Sequence, residues 1–203
     1  MNLAERVDPK RAVLVLVDVQ NDFFDEHGEA SKSGKDAIFR GIIPKLKELV
    51  SAARREGVPV LFIRTFHDEQ TDTAAWSDRK AGAGKQAGRA CETGSWGSEF
   101  YQVQPEPGNA VVIKHRYSAF INTTMSATLK QMGRDSLILT GVATNVCVES
   151  TARDAVMLDN YVIIVSDCTA AATEEEHQAS LSSLGKHFGI VASAGEITRL
   201  WQR

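Results

Sequence analysis

Six short apolar runs recur along this chain, and longer segments with helical periodicity separate most of them. The runs cover residues 12–17, 60–63, 110–113, 136–140, 162–165 and 190–192. Runs of this length, rich in β-branched residues and bounded by charged residues or glycine, are typical of strands that are covered on both faces. Alternation of such strands with helices predicts a three-layer α/β/α domain around a mostly parallel, roughly six-stranded sheet.

Between these runs, apolar residues recur at helical spacing. This periodicity predicts helices over residues 38–53, 122–132, about 148–159, 174–187 and 194–201. Residues 65–109 show no clear period, which is typical of a lid or pocket wall, or of short helices without a periodic signal. The chain has 203 residues and no repeat or linker-like tract, so we expect a single domain over residues 1–203.

Charge and cysteine content narrow the class of protein. The net charge is only −3 and the basic residues are dispersed, which argues against a nucleic-acid or membrane partner. The polar start of the chain has no signal-peptide core, and no apolar run is long enough to span a membrane. The three cysteines, at positions 91, 147 and 168, form neither a C-x-x-C motif nor a zinc spacing. These features predict a reduced, cytoplasmic protein without a disulfide framework.

Three reactive side chains, Asp18, Lys114 and Cys147, each come just after a different predicted strand. In parallel α/β sheets, ligands bind outside the carboxyl ends of the strands. We therefore expect the three strand ends to be neighbours and the three side chains to form one site. Each residue also has a simpler interpretation, as a turn cap, a solvated charge and a small buried apolar residue respectively.

Together the three residues would form an activated nucleophile. Cys147 falls on a strand-to-helix turn, where free amides and the helix dipole favour an anion and lower the pKa of a thiol. Asp18 would accept the thiol proton, and Lys114 would keep that carboxylate charged and oriented. The amides of Ala143 and Cys147 would form an oxyanion hole, in which losing one donor costs about 2.7–4 kcal/mol of barrier. This chemistry predicts cofactor-free hydrolysis of an amide or ureide through a thioester.

The segments that carry these residues resemble a known family. V-D-V-Q-N-D-F-F (17–24), V-I-K-H-R-Y-S-A-F (112–120) and T-G-V-A-T-N-V-C-V-E-S-T-A-R-D-A (140–155) are similar to the signature segments of the isochorismatase-like cysteine hydrolases. The similarity covers nearly the whole chain and is weakest between residues 67 and 95. The resemblance implies a Rossmann-like fold, the triad Asp18, Lys114 and Cys147, and a cis peptide between Val142 and Ala143.

Within that family, R-Y-S-A-F-I-N-T (116–123) and G-S-W (94–96) are most similar to the ureidoacrylate amidohydrolase and N-carbamoylsarcosine amidase branch. The resemblance implies a small amide or ureide substrate and a homo-oligomer. Family nicotinamidases carry an Asp-x-His…His metal set after the second strand. Here that place holds His67, and no second histidine occurs before His115, so no metal site is predicted.

Four residues are candidates for substrate binding: Phe23, Trp96, Tyr117 and Asn145. Aromatic residues can line a pocket, but they also fill cores. For Asn145 the alternative is a helix N-cap. The glycine-rich stretch at 82–88 resembles a phosphate loop, but it follows no strand and lacks the Lys-Ser/Thr pair, so we expect an ordinary loop.

Two other functions remain open from the sequence. An isochorismatase cleaves a vinyl ether by acid catalysis, which needs no nucleophile, and family isochorismatases typically lack the cysteine. A catalytically silent binding protein or a thiol redox sensor could use the same scaffold. A sensor needs a resolving cysteine, for which Cys91 and Cys168 are the candidates.

Overall fold

A six-stranded sheet forms the centre of the computed structural model, which describes residues 1–79 and 89–202. Every strand pairing is parallel, and the strand order is β3-β2-β1-β4-β5-β6. The strands are β1 (Ala12–Val17), β2 (Val60–Thr65), β3 (Ala110–Lys114), β4 (Ser136–Val142), β5 (Tyr161–Ala170) and β6 (Ile190–Ala192). The predicted three-layer α/β architecture is thereby confirmed.

Helices cover both faces of the sheet. They are α1 (Leu3–Arg6), α2 (Asn21–Phe24), α3 (Asp36–Arg40), α4 (Ile43–Arg55), α5 (Ala74–Asp78), α6 (Met125–Met132), α7 (Glu149–Met157), α8 (Glu174–His187) and α9 (Ala194–Trp201). Side chains of β1 alternate between the two faces, because successive residues of a strand point to opposite sides. Leu14 and Leu16 pack with α4 and α9, whereas Val13 and Val15 pack with α6, α7 and α8.

Several predicted elements have different bounds in the structure, and three differ in an informative way. The helix predicted over 38–53 is divided, and α4 begins at Ile43 with Pro44 in its first turn, where a missing N–H costs nothing. The helix predicted from 122 begins at Met125, because Asn122 has a left-handed φ of 54°. The strand predicted over 162–165 extends to Ala170, because its pairing with β4 resumes after a register shift.

The connection between β2 and β3 contains short elements without a periodic sequence signal. These include α5, a 3₁₀ helix over Trp96–Ser98 and an isolated bridge between His67 and Glu92. The glycine-rich stretch 82–88 lies outside the described residues. Over the two described ranges, no helix has the length and hydropathy required to cross a bilayer.

Candidate active site

The carboxyl ends of β1 and β4 are adjacent, because these two strands pair in register from Ala12 to Val17. Asp18 follows β1, and the turn that holds Cys147 follows β4. The expectation that β3 is also a neighbour is wrong, because β3 is an edge strand and β2 separates it from β1. Two strand spacings amount to about 10 Å. The long side chain of Lys114 crosses this gap over the end of β2, where Thr65 is its register partner.

Lys114 lies at the centre of the resulting cluster. Its Nζ lies 2.8 Å from Asp18 Oδ2 and donates to Cys147 Sγ at 3.4 Å. It also donates to the carbonyl oxygen of Arg116 at 3.1 Å. The three protons of an ammonium group match these three acceptors. The side chains of Lys114 and Asp18 are only 1% and 0% exposed, so water does not screen their ion pair.

Asp18 adopts a backbone conformation that few residues other than glycine tolerate. Its φ is 54°, in the left-handed region where aspartate is among the more accepted residues. Its amide donates to the carbonyl of Ile63 at 3.2 Å. Apart from the ion pair with Lys114, no donor among the described residues forms a hydrogen bond to either carboxylate oxygen. The carboxylate therefore retains lone pairs that can accept a proton.

Cys147 lies on a π-helical turn, Thr144–Val148, which connects β4 to α7. Such turns are frequent at functional sites. The peptide bond between Val142 and Ala143 is cis. The carbonyl of Ala143 accepts hydrogen bonds from the amides of Val146 at 3.0 Å and Val148 at 3.2 Å. The amide of Cys147, between these two, is not bonded to that carbonyl. The oxyanion hole formed by the Ala143 and Cys147 amides stays a prediction.

A buried network behind this turn was not anticipated from the sequence. Thr144 Oγ1 lies 2.8 Å from Nδ1 of His177, whose Nε2 lies 3.1 Å from the carbonyl oxygen of Ser166. Because that carbonyl can only accept, Nε2 carries a proton, and in the neutral ring Nδ1 then accepts from the Thr144 hydroxyl. Ser180 Oγ donates to the Thr144 carbonyl at 3.2 Å. Local sequence patterns gave no signal, because His177 is 33 residues from Thr144 along the chain.

The environment of Cys147 changes one electrostatic expectation. Burial raises the pKa of its thiol to about 12, although Lys114 opposes the shift. The predicted lowering of this pKa is therefore wrong for the free protein, because desolvation outweighs the helix terminus and the ammonium group. For Lys114, burial favours the neutral amine, but the charge of Asp18 and the hydrogen bonds to Asp18 and Cys147 outweigh burial and raise its pKa. The resting cluster thus holds a neutral thiol beside an ammonium–carboxylate pair.

The four candidate substrate residues fall into two groups. Tyr117 and Asn145 are half-buried and lie near triad residues in the chain, Tyr117 three residues after Lys114 and Asn145 on the π-helical turn that carries Cys147. The side chain of Asn145 caps no helix, so the N-cap alternative is wrong. Phe23 packs partly against the core, and Trp96 is 49% exposed. The Trp96 carbonyl accepts from Asn21 Nδ2 at 2.9 Å, which joins these two segments after β1.

His67 occupies the place where the family's nicotinamidases carry a metal set. Its Nδ1 lies 2.7 Å from Asp72 Oδ1, and its ring stacks on Trp76 at 5.6 Å between centroids. Asp72 also forms an ion pair with Arg89 at 3.3 Å. In the part of the chain that the structure describes, no three or more His, Cys, Asp or Glu side chains are grouped to hold a metal ion.

Comparison with known proteins places these residues in a family. The family model for the isochorismatase domain matches residues 12–196. The chain is 36% identical over 200 residues to ureidoacrylate amidohydrolase RutB from Methylobacterium radiotolerans, covering 92% of this chain and 78% of the relative. The RutB of Pseudomonas syringae pv. syringae is 33% identical over 205 residues, covering 94% and 84% of the two chains.

A solved structure shows the same architecture. The cysteine hydrolase from Pseudomonas syringae pv. phaseolicola superposes with a TM-score of 0.84 at 26% identity, covering 96% of this chain and 93% of that one. The family match covers all six strands of the sheet and the segments that carry Asp18, Lys114 and Cys147. The chain belongs to the isochorismatase family.

Proposed function

We propose that this protein hydrolyses a C–N bond of a small ureide of the ureidoacrylate type, through a covalent intermediate on Cys147. The chain is a hydrolase acting on C–N bonds other than peptide bonds, like the ureidoacrylate amidohydrolases to which it is similar. One observation supports the mechanism most strongly. The ammonium group of Lys114 is within 2.8 Å of the Asp18 carboxylate and 3.4 Å of the Cys147 sulfur.

The first half of the reaction forms the intermediate. The sulfur of Cys147 attacks the ureide carbonyl carbon while the thiol proton passes to Asp18, which acts as the general base. The carbonyl oxygen becomes an oxyanion, to which the amides of Ala143 and Cys147 donate. When this adduct collapses, the C–N bond breaks and the proton on Asp18 goes to the leaving nitrogen. The carbamoyl group remains on the sulfur as a thioester.

The second half regenerates the enzyme. A water molecule attacks the thioester carbonyl, and Asp18 accepts one of its protons. The C–S bond then breaks, and the sulfur of Cys147 recovers a proton. The products are the amine and carbamate, which decomposes to ammonia and carbon dioxide. Lys114 remains charged throughout and stabilises the carboxylate whenever Asp18 has released its proton.

Specific observations weigh against the two alternatives. A vinyl ether hydrolase needs no nucleophile, whereas here Cys147 contacts the ammonium group and is only half-buried. A redox sensor needs a reactive second thiol. Cys91 and Cys168 are both fully buried, and burial raises the pKa of each thiol, to about 12 for Cys168. Neither thiol has the exposure that a resolving cysteine needs, whereas Cys147 is half-buried.

The test is ammonia release by wild type and Cys147→Ala from (Z)-3-ureidoacrylate, N-carbamoylsarcosine, biuret and nicotinamide. Consumption of isochorismate, which contains no nitrogen and releases no ammonia, is followed separately through pyruvate formation. We expect release from a ureide, reduced about 10⁴- to 10⁶-fold in the variant, as for loss of a nucleophile. Cys168→Ala is the matched control and should remain active. Full activity in Cys147→Ala would refute the mechanism. Consumption of isochorismate alone would favour the vinyl ether hydrolase.

Cytoplasmic location and homo-oligomeric assembly are part of the same proposal. Several large apolar side chains are exposed, among them Met157 at 77% and Leu158 at 51%, which supports burial of this surface between copies of the chain. Light scattering after size-exclusion chromatography measures the assembly directly. A mass equal to the 22.1 kDa chain would contradict an oligomer.

A further inference from the structure

Two arginine side chains stack on one indole ring, and one of them, Arg116, lies two residues after Lys114. The Cζ atoms of Arg79 and Arg116 lie 3.5 Å and 4.9 Å from the ring centroid of Trp76. The ring of Tyr117 is 4.8 Å from Trp76, and its hydroxyl accepts a hydrogen bond from Arg79 Nε at 2.9 Å. These four residues are called the Trp76 cluster here. Guanidinium groups stacked on aromatic faces in this way are held in defined orientations.

The Trp76 cluster is directly connected to the triad. The backbone carbonyl of Arg116 accepts a hydrogen bond from Lys114 Nζ at 3.1 Å. The side chain of Arg116 is fixed by donation from Nη1 to the carbonyls of Thr71 at 3.1 Å and His115 at 2.6 Å. Its Nε and Nη2 have no partner among the described residues and are not buried. Arg116 therefore offers two oriented donors to a ligand.

The positive charge of the cluster is not neutralised by any side chain in the described part of the protein. Within residues 1–79 and 89–202, no carboxylate forms an ion pair with Arg79 or Arg116. Asp72, the buried carboxylate on the same connection, is already paired with His67 and Arg89.

Besides burial, the positive charges around His67 lower its pKa. Its ring stacks on Trp76, which places it at the cluster. Burial lowers the pKa of His67, the hydrogen bond to Asp72 opposes this, and the charges of Lys114 and Arg79 lower it further. The two guanidinium groups that stack on Trp76 repel each other, and a bound anion would offset this repulsion.

We infer that the Trp76 cluster binds a carboxylate of the substrate, with Arg116 and Arg79 as its ligands. The substrates are then ureido acids, and neutral ureides or simple amides are poor substrates. This inference rests on the proposed function, because it orients a substrate whose ureide carbonyl lies at Cys147. A guanidinium group matches the planar geometry of a carboxylate, and each such charge-assisted contact contributes more than a neutral hydrogen bond.

Binding to the Cys147→Ala variant tests the inference without turnover. Isothermal titration calorimetry would compare (Z)-3-ureidoacrylate with its carboxamide, which has the same shape and no charge. We expect the acid to bind at least about 10-fold more tightly. Adding Arg116→Gln or Arg79→Gln should each weaken the acid about 10- to 100-fold and leave the carboxamide within about 2-fold. Arg116→Lys should recover part of the loss, since it keeps the charge but not the fork.

The control is Arg55→Gln. Arg55 is exposed at the C-terminal end of α4, just before β2 begins, so it lies at the amino ends of the strands and away from the site. It should bind both ligands like the parent. Equal affinity for acid and carboxamide would overturn the inference, as would equal weakening of both ligands in the Arg79 variant. The proposed function is tested separately by ammonia release from the wild type. Equally rapid release from the neutral ureide would leave that function standing and refute the carboxylate subsite.

Discussion

The ion pair of Asp18 with Lys114 is completely buried. Removing only one of the two charges should therefore lower the free energy of unfolding much more than removing both. The variant Lys114→Met would leave the Asp18 carboxylate at 0% exposure without a cation or a hydrogen-bond donor among the described residues. Breaking a buried pair in this way costs about 3–5 kcal/mol. For a chain of this size, each kcal/mol corresponds to about 2–4 °C, so Tm should fall by about 6–20 °C.

The double variant Asp18→Asn, Lys114→Met separates the cost of an unpaired charge from the cost of lost packing. With both charges removed, we expect stability to return to within about 2 kcal/mol of wild type, because the pair itself gains little after desolvation. The double variant should remain inactive, since it lacks the base. Urea unfolding followed by circular dichroism measures the free energy of unfolding of the wild type, of Lys114→Met and of the double variant.

A surface pair provides the control for this cycle. Lys45 Nζ lies 3.0 Å from Asp167 Oδ2, but the lysine side chain is 58% exposed. Lys45→Met should therefore cost less than about 1 kcal/mol. A loss as small as this in Lys114→Met would refute the reasoning from burial. So would a double variant no more stable than Lys114→Met alone.

Two further predictions concern the nucleophile and the strand before it. Iodoacetamide should modify Cys147 slowly at neutral pH, because burial raises the pKa of this thiol to about 12. The modification rate, measured by mass spectrometry, should keep rising toward high pH. A rate that levels off near pH 8 would contradict this prediction. Gly141→Ala should destabilise the fold by more than about 2 kcal/mol in urea unfolding, because Gly141 has a φ of 98° and a Cβ there would meet the backbone of Val17. Gly195→Ala, in α9 with nothing within 4 Å, is its control and should be neutral or gain up to about 1 kcal/mol.

The sequence predicted well those features that depend on local patterns. β1 and β6 have their predicted bounds, because each apolar run begins directly after a charged residue or a glycine. Asp18, Lys114 and Cys147 could be singled out because parallel strands end at the same edge of a sheet.

Features that depend on long-range packing were not predictable. The strand order places β2 between Lys114 and Asp18, and no local pattern specifies which strands pair. The start of the helix at Cys147 is visible in the sequence, whereas the burial that raises the pKa of its thiol is not. The Trp76 cluster depends on α5, whose five residues are too few to show a helical period.

The pairing register of the edge strand β3 determines whether the side chain of Lys114 points toward Asp18. Val112 and Lys114 face inward, whereas Val111 and Ile113 are 41% and 44% exposed. A shift of one residue in the pairing of β3 would exchange these two sets. Ile113 would then face Asp18 and the lysine would lie in solvent, in a sheet that kept its backbone hydrogen bonds. Insertions and deletions between residues 66 and 109 are therefore compatible with activity only where the pairing of Thr65 with Lys114 is kept.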